Sequence, residues 1–225
     1  VISYFPDKDA SEEEDDAIRV AIIGKPNVGK SSLINKILGE DRLIVSNIAG
    51  TTRDAVDTPI EIDGQKYIFI DTAGMRRKSK IKEEIERFSI IRAVAAVERC
   101  DVAILVIDAN EGITDQDTKI AGIAHERGKA AIIAVNKWDS IEKDEKTMNK
   151  YLKDIGMELK YMDYAPCCFI SALTGQRITR MLEMINTVHE NHALRISTGV
   201  LNEVLIEATA MQQPPSDKGR QLRLY

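Results

Sequence analysis

Gly24-Lys-Pro-Asn-Val-Gly-Lys-Ser31 fits the pattern G-x-x-x-x-G-K-[ST] and follows the apolar run Ile18-Arg-Val-Ala-Ile-Ile23. A strand feeding a glycine turn and then a helix predicts an α/β fold whose first turn grips phosphate. Backbone N–H groups of Asn27, Val28, Gly29, Lys30, Ser31 and Ser32 are the candidates to cradle di- or triphosphate oxygens. The next helix adds the partial positive charge of its N-terminus. Lys30 is expected to reach the β/γ oxygens, and the Ser31 hydroxyl to hold Mg²⁺.

Outward from that turn, strands and helices alternate. Apolar runs predict strands at Ile18–Ile23, Thr58–Ile62, Lys66–Ile70, Val102–Ile107, Ala130–Val135 and Cys167–Ile170. Helical patterns fall at Lys30–Leu38 (closed by Gly39), Glu83–Arg99, Asp115–Arg127, Lys143–Gly156 and Arg177–Glu190. Asp63-Gly-Gln65 reads as a hairpin turn. The β-α rhythm implies a mostly parallel, six-stranded sheet with helices on both faces. Residues 40–56, ending in Gly50-Thr-Thr-Arg-Asp54, lack clear periodicity and are expected to form a mobile loop. Residues 1–17 end in an acidic run that reads as a solvated linker, with an acidic contact arm as the alternative. The expected main domain is 18–192. Residues 193–225 hold a helix near Gly199–Met211, a linker composition at Gln212–Gly219, and Gln221-Leu-Arg-Leu-Tyr225, which looks like the start of a strand.

Three further segments choose the nucleotide. Asp71-Thr-Ala-Gly74 follows a strand, so Asp71 can hold Mg²⁺ and the Gly74 N–H can contact a γ-phosphate. Asn136-Lys-Trp-Asp139 also follows a strand. The Asp139 carboxylate can accept from guanine N1–H and the 2-amino group. Adenine would leave that carboxylate facing a lone pair, which favours GTP over ATP. Asn136 is expected to brace the loop and reach the purine edge, with the Lys137 stem over the base. Ser171-Ala-Leu173, at the end of the last strand, is expected to present the Ala172 N–H to guanine O6.

Together GKPNVGKS, GTTRD, DTAG, NKWD and SAL resemble, in order and spacing, the translation-factor-like GTPases, a branch of the P-loop NTPases with a Ras-like G domain. Within that branch, GKPNVGKSS with GTTRD and DTAGMRRK resembles the Der (EngA) family of bacterial double-G-domain GTPases, here the second G domain. The resemblance implies GTP/GDP binding and Mg²⁺-dependent hydrolysis. It also implies a first G domain and most of a KH-like domain outside this chain, residues 193–225 being its start. The large ribosomal subunit and its RNA are the implied partners of the full-length protein, in subunit assembly. Thr52 looks like the threonine that meets Mg²⁺ and γ-phosphate, with Thr51 its near rival. Lys30, Thr52 and Gly74 are thus the candidate catalytic residues. Met75 stands where many relatives place a water-orienting glutamine, so slow intrinsic turnover is expected, and a nucleotide-gated RNA-binding module with incidental hydrolysis is the alternative. Asn27 matches an asparagine that supports K⁺ binding; the plainer reading is a residue tolerant of unusual turn angles.

Composition narrows the rest. A net charge of −5 does not advertise nucleic-acid binding by the whole surface. The basic stretch Arg76, Arg77, Lys78, Lys80 and Lys82 reads either as a solvated segment or as an RNA or domain contact. Cys100, Cys167 and Cys168 suit reduced thiols in the cytoplasm rather than a disulfide frame or zinc site. No apolar run reaches the ~20 residues needed to span a bilayer, and Val1–Pro6 lacks signal-peptide character. Trp138 reads as a packing anchor, and Met181 with Met184 as core-facing.

Overall fold

Three apolar strands organise the chain. The computed structural model describes residues 17–39, 43–44, 57–72, 85–211, 216–217 and 220–221. β1 (Ile18–Ile23), β5 (Val102–Asp108) and β6 (Ala130–Asn136) lie side by side and parallel. β5 and β6 are buried at every residue, as strands covered on both faces must be. β4 (Gln65–Ile70) pairs parallel with the other side of β1, and β7 (Cys167–Phe169) parallel with β6. β3 (Thr58–Ile62) runs antiparallel to β4 through the two-residue turn Asp63-Gly64, whose φ angles of 50° and 85° are those of a type I′ hairpin.

The six expected strands therefore share one sheet. A two-residue strand, β2 (Leu43–Ile44), joins its edge from within the stretch read as a loop, giving the order β2-β3-β4-β1-β5-β6-β7. Alternate residues of β1, β5 and β6 point to opposite faces. Val20, Ile22, Ile104, Val106 and Ile132 pack on one face against α1 (Lys30–Leu38) and α5 (Ile178–Ala193). Ala21, Ile23, Leu105, Ile107 and Ile133 pack on the other against α2 (Ile85–Arg99), α3 (Asp115–Glu126) and α4 (Thr147–Glu158). Each fully buried Leu or Ile contributes about 1.5–3 kcal/mol, so the two faces clamp the sheet and fix where its strand ends lie.

One helix start differs from expectation for a local reason, and that of α3 falls at Asp115 as expected. α4 starts at Thr147 rather than Lys143, because the Asp144 carboxylate accepts from Lys146 N (2.9 Å) and Thr147 Oγ1 (2.6 Å) and holds a turn there. α3 begins in a capping box: Asp117 Oδ2 accepts from Thr114 N at 3.1 Å and from Thr114 Oγ1 at 2.6 Å.

The chain divides into two compact units, residues 1–192 and 193–225. The second contains α6 (Thr198–Met211) and an antiparallel pair, β8 (Ser216–Asp217) with β9 (Arg220–Gln221). β8 falls inside the stretch read as a linker. No helix among the described residues is long and apolar enough to cross a membrane.

Candidate functional site

In a sheet of this kind ligands sit outside the carboxyl ends of the strands, where the strand order reverses. β1 is that point here, flanked by β4 and β5. The turn after β1 is shaped by close approach. A Cβ on Gly24 (φ 144°) would lie 2.5 Å from the Val106 carbonyl oxygen, and one on Gly29 (φ 99°) would lie 2.2 Å from Asn136 Nδ2. Asn27 between them has φ 65° and is exposed. Gly29 caps α1, which places Lys30, Ser31 and Ser32 in the first helical turn, where backbone N–H groups lack helical partners. Lys30 Nζ donates to the carbonyl oxygens of Gly24 (2.7 Å) and Lys25 (2.6 Å), lying across the loop it serves. Burial pushes its pKa down to about 8, against an opposing pull from Asp117.

Asn136 ties three of the segments together. Its Nδ2 donates to the Val28 carbonyl at 2.8 Å, and its Oδ1 accepts from Ala172 N at 2.9 Å, all buried. The expected bracing is thus in place, and it reaches further than the base loop. The same bond engages the Ala172 N–H that the sequence reading aims at guanine O6, so a base oxygen there has to share that hydrogen. Ser171 is buried and folds a turn, its Oγ accepting from Thr174 N at 3.1 Å; Leu173 stands 82% exposed beside it.

Lys137 sits at φ 61°, with its ammonium 2.5 Å from Asp108 Oδ2 at the end of β5. Burial pushes the Asp108 carboxyl up, but Lys137 and the Asn110 N–H groups outweigh it and hold it below the usual range. Asp139 lies exposed in a single 3-10 turn, Trp138–Ser140. Trp138 anchors that turn in the core against Phe169 and Tyr151, with ring centroids at 4.3 and 5.2 Å.

Asp71, just past β4, has φ 56°, an uncommon angle for a non-glycine residue. Its N–H donates to Asp57 Oδ1 at 3.0 Å, and Asp57 pairs with Arg99. Thr58 Oγ1 meets Thr72 Oγ1 at 2.5 Å as a second link. Burial and the neighbouring Asp57 raise the Asp71 pKa, partly offset by Arg92 and Arg99. A carboxylate made costly in this way gains from a cation beside it. Its carboxylate and the Ser31 hydroxyl are each hard-oxygen donors of the type that Mg²⁺ takes. Thr52, Thr51, Gly74, Met75 and the basic stretch after it lie outside the described residues.

Several participants carry no sequence motif. Lys25 is buried within the turn, with its ammonium 2.6 Å from Glu111 Oε2, 3.3 Å from Thr114 Oγ1 and 3.4 Å from Asp117 Oδ2. Burial pulls its pKa down, but Glu111 and Asp117 together outweigh it and raise it. The only usable signal was an acid, Asp108, closing an otherwise apolar strand. A cavity of about 220 Å³ lined by Ile18, Gln65, Asn186, His189 and Glu190 lies by the first residue of β1 and takes no part in this arrangement.

The profile of the 50S ribosome-binding GTPase family matches residues 19–137. GTPase Der of Lachnoclostridium phytofermentans is 65% identical over all 225 residues, and GTPase Der of Agathobacter rectalis 64%; the chain spans 51% of each. It therefore covers about half the length of the curated relatives it matches. Among solved structures, Era in complex with MgGDPNP and a 16S ribosomal RNA segment is 31% identical at a TM-score of 0.57, covering 76% of this chain and 56% of that one. Elongation factor SelB of Methanococcus maripaludis, 19% identical at a TM-score of 0.58 over 81% of this chain and 36% of its own, shares the fold. With the turns after β1, β6 and β7 joined through Asn136, a family profile over residues 19–137 and relatives of this identity across its full length, the chain belongs to the 50S ribosome-binding GTPase family as a Der-type G domain.

Proposed function

We propose that this domain binds GTP with Mg²⁺ and hydrolyses it to GDP and phosphate, alternating between two conformations of the segments around Thr52 and Gly74. The observation that carries the reading is Asn136, which joins the phosphate turn at Val28 to the last-strand turn at Ala172 through two buried bonds. One pocket then has a phosphate end and a base end. The turn from Asn27 to Ser32 grips the polyphosphate, and Lys30 releases its two carbonyl contacts to follow the β/γ oxygens. Ser31, Asp71 and Thr52 are the residues to hold Mg²⁺, which would neutralise charge building on the phosphates. Asp139 accepts from guanine N1–H and the 2-amino group, beside Lys137, Ala172 and Leu173. Water attacks the γ-phosphorus as its bond to the bridging oxygen breaks and GDP departs. Met75 cannot orient that water, and Asn27 would hold K⁺, which would supply charge instead.

In the full-length protein the proposed setting is the cytoplasm, in assembly of the large ribosomal subunit with its RNA, next to the first G domain and the KH-like domain. Met75 also favours a second reading, a nucleotide-gated ribosome-binding module in which hydrolysis is incidental. Phosphate release measured from GTP and ATP, in K⁺ and in Na⁺, tests the first. GTP turnover well above ATP, faster in K⁺, is expected. Equal turnover of both nucleotides refutes the base assignment, and equal rates in both salts refute the K⁺ role.

A further inference from the structure

Asp139 is exposed and has to be aimed by its neighbours. Both of its flanks are held by one unit at the end of β5. On one side, Lys137 Nζ donates to Asp108 Oδ2 at 2.5 Å. On the other, the single Ser140 Oγ hydrogen is shared between Asn110 Oδ1 at 3.0 Å and the Lys137 carbonyl at 2.7 Å. Asn110 is in turn fixed by Asp108, whose Oδ1 accepts from the Asn110 backbone N–H at 2.9 Å and from its Nδ2 at 3.0 Å. The Asp108 side chain is only 4% exposed. A single buried carboxylate therefore grips the turn before and after the base-reading residue. Its footing is rigid: Asp108 lies in register with Asn136 across β5 and β6, and Ala109 N donates to Asn136 O at 2.9 Å.

We propose that Asp108 is a positioning residue for base selection: through Lys137 on one side and Asn110–Ser140 on the other, it sets the direction in which Asp139 meets the purine. This rests on the guanine-binding reading above. Inosine diphosphate separates the two ideas, because it lacks the 2-amino group and so offers Asp139 one donor instead of two. Loosening of the fold weakens GDP and IDP alike and leaves their ratio alone. Misaiming Asp139 lowers the ratio, since only GDP loses the second bond.

The experiment is calorimetric titration of GDP and IDP with Mg²⁺ present, for the wild type, Asp108→Asn and Ser140→Ala. Asp108→Asn keeps the side-chain shape and can still accept from Asn110, but loses the charge that holds Lys137. The preference for GDP over IDP is expected to fall by roughly tenfold in Asp108→Asn, the weight of one charge-assisted hydrogen bond, and by less in Ser140→Ala. An unchanged ratio in Asp108→Asn overturns the proposal, even if both affinities drop. If Asp108→Asn does not fold, Ser140→Ala decides, because Ser140 is exposed; an unchanged ratio there overturns it equally. A wild type indifferent to both nucleotides instead sinks the guanine reading and the Asp108 role with it.

Discussion

Replacing Asn136 with alanine cuts the tie on which the pocket depends, and its cost follows from two bonds. The Val28 carbonyl would lose its donor at 2.8 Å and the Ala172 N–H its acceptor at 2.9 Å, both in buried surroundings. Water cannot readily replace either partner, and each stranded group costs about 1–3 kcal/mol. The sum is about 2–6 kcal/mol, a large part of the roughly 5–15 kcal/mol that holds an ordinary domain folded. Urea unfolding followed by the fluorescence of Trp138, the single tryptophan and 3% exposed, gives the measurement. Far-UV circular dichroism should trace the same transition, because Trp138 lies close to the substitution. With m of about 2 kcal/mol per molar, the midpoint is expected to fall by roughly 1–3 M at unchanged m. A midpoint that stays within the error of the wild type, by both probes, refutes the claim that Asn136 joins the loops.

Two further outcomes follow from charge and burial. The Lys30 pKa is depressed to about 8 in the fold, against 10.5 ordinarily. Between those values the unfolded chain binds more protons, so the contribution of Lys30 makes unfolding free energy rise with pH across that window and stay flat below it. Lys30→Met should remove the rise, and an unchanged slope in that variant contradicts the assignment. Burial pushes the thiols up, Cys100 to about 11 and Cys167 and Cys168 to about 12. Since thiolate is the reacting form, native protein at pH 8 should resist an aromatic disulfide reagent and react at all three cysteines in urea. Rapid labelling of Cys100 and Cys168 in the native state would disprove their buried placement.

The strands and the three site segments described here were legible because each has a local signature. β5 and β6 read as unbroken apolar runs, and the turns after β1 and β6 as motifs. The start of α4 was misplaced because the helical pattern begins before Asp144 caps the chain with its own side chain. What stayed hidden is pairwise and long-range. Lys25 meets Glu111 across 86 positions and Lys137 meets Asp108 across 29. Such pairs leave no periodicity, and even an acid closing an apolar strand, as Asp108 does, does not name its partner. Asn136 was legible as part of a base loop, but its hold on Val28, 108 positions away, depends on the glycine at 29, whose missing side chain leaves room for the Asn136 amide.

Strain and restraint coincide at this end of the sheet. Among the described residues, five non-glycines have positive φ, and three of them, Asn27, Asp71 and Lys137, fall in the segments proposed to bind nucleotide. Angles of this kind cost about 1–3 kcal/mol each and persist only where the surroundings over-determine them. Each has its restraint. Asp71 is held through its own N–H by Asp57, which Arg99 anchors. Lys137 is held by Asp108. Asn27 precedes Val28, whose carbonyl Asn136 pins. A strained residue with no such partner would relax toward ordinary angles and carry its loop away from the strand ends. The ties are therefore what allows a site built from separate loops to keep a geometry that none of those loops would choose alone.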